Sequence, residues 1–93
     1  MVVGILHLRI FIPDAHSLKE KRHVVRGLRD RIRHRFNVSV AEVDSLDRWQ
    51  EAVLGVAVAT NDPRLADRIL AKVVTLARTA PGAIVTRYET EIL

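Results

Sequence analysis

The chain contains no cysteine. That absence excludes a disulfide framework and any thiolate metal site, and it suits a reducing cytosol. Rings are almost as scarce, with one Trp, one Tyr and two Phe among 93 residues. Sheet modules that read single-stranded RNA stack bases on aromatics of their central strands, and Phe11 alone makes no such platform. The glycines Gly4, Gly27, Gly55 and Gly82 are scattered and form no phosphate-cradling loop. Long apolar runs are missing too. The most hydrophobic stretch, "MVVGILHLRIFI", has no basic leader, holds His7 and Arg9, and meets Pro13 and Asp14 where a cleavage site would lie. It reads as a strand rather than a signal peptide or membrane span, so the expected location is the cytoplasm, with no membrane partner.

What is present is enough to fold. Hydrophobic residues make up 48% and charged residues 28%, too apolar for a disordered chain. Residues 1–93 are expected to form a single domain near the lower size limit for a self-sufficient core. The net charge of +4 is unevenly spread. Residues 17–35 hold eight bases, Lys19, Lys21, Arg22, Arg26, Arg29, Arg31, Arg33 and Arg35, against Glu20 and Asp30, net +6; residues 36–93 are net −2. All the positive excess sits on one element.

Hydrophobic periodicity sets the layout. In the first strand Val2, Leu6, Leu8, Ile10 and Ile12 share a parity with Gly4 and form an apolar face, while Val3, Ile5, His7, Arg9 and Phe11 form a mixed one. After the turn "PDAHS", Ser17 and Glu20 form a capping box, which predicts a helix from Leu18 to about Arg35. "NVSVAEVDS" and "EAVLGVAVAT" are two strands of a hairpin joined around Leu46 to Trp49, with Trp49 expected to be a buried anchor. "NDP" caps a second helix at Asn61 or Asp62, with Pro63 first in the helix and Leu65, Ile69, Val73 and Leu76 as its buried stripe. "TAPG" ends it, and "AIVTRYETEI" alternates as a last strand with one wet face. The fold class is therefore α+β, a ferredoxin-like βαββαβ arrangement with a four-stranded antiparallel sheet and two helices on one face. The other face is left open.

On a helical wheel at 100° per residue, Lys19, Arg22, Arg26, Arg29 and Arg33 fall between about 20° and 100° from Leu18, a stripe about 21 Å long. Like charges at these spacings repel, so stability is not what the stripe serves. It is a solvated arginine-rich surface, a site for a polyanion, or a contact for an acidic protein surface. Lys21 lies near the apolar arc, where it either snorkels or serves the start of the helix. Gly27, pointing away from the sheet, is consistent with a close approach by a partner or with tolerated slack. Residues Lys19, Lys21, Arg22, Arg26, Arg29 and Arg33 are the candidate nucleic-acid contacts. Such backbone-type contacts favour structured RNA over a base-specific target.

Reaction chemistry is thin. The histidines His7, His16, His23 and His34 form no ligand pair, and Glu42, Asp44, Asp47 and Glu51 match no calcium loop. Ser39 and Ser45 have no evident base, so no catalytic, cofactor-binding or metal-ligating residue is assigned. Acylphosphatases share the expected fold and size, but their anion loop after the first strand is replaced here by "PDAHSLKEKR".

"SLKEKR", "FNVSVAEV" and the following "WQEAVLGVAVAT" resemble the YlxP-like family, small bacterial proteins carrying a domain of unknown function, over nearly the whole chain. The resemblance implies a ferredoxin-like fold and no catalytic residues. Its members are often encoded among transcription-elongation, translation-initiation and ribosome-maturation genes, which implies a ribosomal setting. The expectation is a non-enzymatic protein that contacts structured RNA or a ribosomal subunit through its basic first helix. Two alternatives stand beside it. One is a homodimer through the open sheet face, where Val3, Ile5, His7, Arg9, Arg87, Glu89 and Glu91 mix apolar and charged groups. The other is a small-anion site near His16 to Lys21.

Overall fold

Strict alternation in residues 2–12 makes the first strand central to the molecule. The computed structural model describes residues Met1–Leu93 and runs β1 (Val2–Phe11), α1 (Leu18–Arg35), β2 (Ser39–Asp44), β3 (Glu51–Thr60), α2 (Pro63–Arg78) and β4 (Ile84–Ile92). The strands form one sheet in the order β2-β3-β1-β4, every neighbouring pair antiparallel. Both helices lie on the face where Leu6, Leu8 and Ile10 of β1 pack with Leu54, Val56 and Val58 of β3. Each such side chain removed from water contributes about 2 kcal/mol, and the cluster they form is the core.

The caps follow the expected residues with one change of partner. Ser17 Oγ accepts from Glu20 N at 3.1 Å, but the Glu20 carboxylate reaches back to His16 N rather than to Ser17 N. Asp62 is the cap of α2, accepting from Arg64 N at 2.9 Å, and Pro63 follows it. The buried stripe of α2 is rotated from the expected one. Leu65 is exposed and Ile69 only half-buried, while Ala66, Leu70, Val73, Val74, Leu76 and Ala77 face the sheet. Small size is the cause. A Cβ on Gly4 would lie 3.1 Å from Leu70 Cδ1 and 3.2 Å from Ala66 Cβ, so α2 settles on β1 through its alanine, a contact that ranking residues by bulk conceals.

The alternation expected along the last strand is also broken. From Tyr88 to Ile92 the even positions pair with the core side of β1, but a bulge between Arg9 and Ile10 of β1 leaves Thr86 of β4 unmatched. Beyond it Val85 pairs with Ile10 and Ile84 with Phe11, which moves Ile84 to the open face. A bulge adds one residue, and one residue exchanges the two faces of a strand. Thr86 Oγ1 donates to Arg9 O at 3.2 Å across the irregularity. No helix of the chain is long and apolar enough to cross a membrane.

Candidate nucleic-acid interface

The flanks of α1 have different surroundings. Val24 approaches Gly82 in the α2–β4 turn, and Arg35 shares a cleft with Lys72 and Thr75 of α2 and with Thr79, which caps its end. That flank faces the second helix. The arc of Arg22, Arg26 and Arg33 lies on the other flank, beside β2, an edge strand with no outer neighbour, and Lys19 at the start of the helix also borders the cleft that holds Val24 and Gly82. These four side chains are exposed, and no carboxylate of the chain forms an ion pair with any of them. Arg29 is half-buried and meets only its neighbour Asp30, at 3.3 Å, in a wet pair that contributes little. A Cβ on Gly27 would meet nothing within 4 Å, so the packing of the chain itself does not require that glycine.

Lys21 is a correction. Grouped by sequence with the candidate nucleic-acid contacts, it is 0% exposed, and its Nζ donates to Glu42 Oε2 at 2.8 Å, Ser45 O at 2.9 Å, Leu46 O at 3.2 Å and Glu51 O at 3.3 Å. Three N–H groups serve four acceptors, so nothing is left for a ligand. The bulge of β2 near Val43 and the left-handed backbone of Ser45 (φ 59°) precede the turn that offers two of these carbonyls. Lys21 thus ties the first turn of α1 to the β2–β3 connection. The signal was in the sequence: Lys21 sits about 300° round the wheel, inside the arc of Val25 and Ile32.

Trp49 is the second correction. It is 55% exposed, so its ring is not a buried anchor. The bracing is done by its neighbours. Gln50 Nε2 donates to Pro13 O at 3.0 Å and Ala15 O at 3.2 Å, and Arg48 pairs with Glu51 at 3.0 Å. With Leu46 and Val43 also exposed, the hairpin end shows an apolar surface. Three of the four carboxylates there are engaged separately, Glu42 by Lys21, Glu51 by Arg9 and Arg48, and Asp44 by the Ser45 N–H, while Asp47 is exposed. The hydrogen bond from Arg9 holds the Glu51 carboxyl below its ordinary range; Arg48 adds to this and desolvation opposes it.

A cleft of about 610 Å³ lies where the small-anion alternative placed a pocket, lined in part by Asp14, Ser17, Lys19, Glu20 and His23. Its Ser17 and Glu20 side chains are engaged in capping α1, and Asp14 and Glu20 bring negative charge against Lys19. The flank of α1 therefore has the simpler field for an anion.

A family model described as "Protein of unknown function (DUF503)" matches residues 3–90. A relative named "Uncharacterized protein YlxP", from Bacillus subtilis (strain 168), is 31% identical over 90 residues, covering 97% of this chain and 98% of that one. Among solved structures, the de novo designed protein LFR1 1 with ferredoxin fold superimposes with a TM-score of 0.54 at 14% identity, over 99% of this chain and 85% of that one. The de novo designed protein Foldit4 gives 0.55 at 11% identity, over 98% and 96%. Likeness at such identities concerns the fold alone.

Proposed function

The chain belongs to the family of proteins of unknown function DUF503, a membership that brings no reaction with it, and from there we propose a non-enzymatic protein that docks on structured RNA through α1. One observation carries the reading: Lys19, Arg22, Arg26 and Arg33 share an arc of α1, stand in water, and lack any carboxylate partner within the chain. Four cations along about 21 Å of rigid helix match a run of backbone phosphates. Contacts of this kind fix position and do not read bases, so the partner is recognised by shape. Ribosomal particles are the first RNA to test, the setting that the family resemblance implies.

Four phosphate contacts make affinity fall about two orders of magnitude between 50 and 200 mM salt, taking duplex DNA as the guide. Binding to ribosomal subunits and to a plain RNA duplex is to be titrated against salt for the wild type and for Arg22→Glu/Arg26→Glu/Arg33→Glu. The expected result is a steep slope for the wild type and lost binding for a variant whose circular dichroism is unchanged. Equal binding by the folded variant removes α1 as the contact surface.

A further inference from the structure

We infer that the open face of the sheet docks a second copy of this chain about a two-fold axis that crosses its middle row. The inference is independent of RNA contact by α1, because that helix lies on the opposite side of the sheet.

The cross-strand register divides the open face into five rows. Phe11 stands with Glu51 and Ile84; Arg9 with Val53, Arg87 and Asp44; His7 with Gly55, Ala41 and Glu89. Ile5 stands with Ala57, Ser39 and Glu91, and Val3 with Ala59. On the two central strands, seven of the ten residues directed to the open face are apolar or glycine: Val3, Ile5, Phe11, Val53, Gly55, Ala57 and Ala59, of which Val53 is only 6% exposed and Gly55 lies beneath the Val43 side chain. The charged groups gather on β4 and at one end. A face left to water reverses this, with polar residues along every strand, whereas an apolar centre with a charged margin is the anatomy of an interface.

Charge and size name the occupant. Along β4 the sign changes from Arg87 to Glu89 and Glu91, and along β1 the cation Arg9 lies at the Arg87 end. A two-fold axis through the row of His7, Gly55 and Glu89 exchanges the ends. Arg87, which pairs with Glu89 of its own chain at 2.6 Å, then also meets the partner's Glu91, which lies four residues away along its own strand and out of reach within one chain. The same operation lays Phe11, 39% exposed, over the partner's Val3 and Ala59, a large side chain on small ones. Only a second copy presents these residues in reverse order, as an isologous contact requires, and the axis sets His7 and Glu89 of the middle row against their own copies. The four strands offer about 550 Å² per copy, hollowed between Arg9, Val43 and Glu89 by about 390 Å³, so a pair covers about 1,100 Å², at the small end for a specific interface, which points to micromolar affinity.

Sedimentation or light scattering between about 1 and 500 µM tests this, the wild-type mass being expected to double across the range. Ala57→Arg, which leaves the core untouched, is expected to weaken association about a hundredfold while circular dichroism stays constant; Ala59→Arg replaces it if that variant unfolds. Arg87→Glu and Glu91→Arg are each expected to weaken association about tenfold, and the double exchange to restore it. A wild type that stays monomeric throughout overturns the inference. So does a dimer that survives the folded arginine variant, and a double exchange that recovers nothing overturns the two-fold register.

Discussion

Lys21 and Arg22 are neighbours in sequence, carry the same charge, and occupy opposite environments. The inner face of α1 closes over Lys21, whose donors are all taken by Glu42 and three carbonyls, and no buried side-chain nitrogen or oxygen is left without a partner. The outer flank leaves Arg22, Arg26 and Arg33 in water with no intramolecular partner. An ammonium taken out of water must be satisfied by its own protein, because desolvation costs several kcal/mol. A guanidinium left in water has no such obligation, so its donors remain available to something outside. Charge counting treats the two alike. Burial separates a bracket from a cation left free in water.

The sharpest test of that difference is Lys21→Met, which keeps the stem and removes the charge. It strands Glu42 and takes the donor from three carbonyls, so about 3–5 kcal/mol of stability should be lost, measured by urea unfolding. Lys21→Met/Glu42→Leu should recover a large part, because an apolar pair leaves no unpaired charge. RNA affinity should survive in both wherever they are folded. Reversing the outer flank with Arg22→Glu/Arg26→Glu/Arg33→Glu should do the opposite: affinity falls about a hundredfold while stability moves by less than about 1 kcal/mol. If the outer variant unfolds and the inner one does not, the assignment of bracket and surface is reversed.

Much of this was legible in the sequence. Parity in β1, the cap at Ser17 and the Asp62-Pro63 start of α2 are local signals, and local physics fixes them. Ser17→Ala should accordingly cost about 1 kcal/mol in thermal unfolding, with no change in RNA affinity. What failed depended on distant partners. The bulge opposite Arg9 shifts Ile84 to the other face without leaving a turn residue to announce it, and the acceptors of Lys21 lie more than 20 positions downstream. Trp49 misled through its size. A large ring is usually buried, but here the hairpin is held by Gln50 and Lys21 through backbone carbonyls, so the ring is not needed as an anchor.

Glu51 joins the two kinds of environment within one residue: its carbonyl accepts from the buried Lys21 while its carboxylate meets Arg9 and Arg48 near water. The bond from Arg9, with help from Arg48 and against some desolvation, holds that carboxyl below its ordinary value of 4.5. A carboxyl depressed in the folded state adds stability that is fully present above the unfolded value and disappears as pH falls through the folded one. Glu51→Gln never has that contribution. Unfolding curves of wild type and variant should therefore differ at neutral pH and converge in acid below 4.5. The separation should be the smallest effect predicted, because solvent screens the pair. A gap of the size expected for Lys21→Met would mean that the Glu51 carboxylate belongs to the bracket as fully as its carbonyl does.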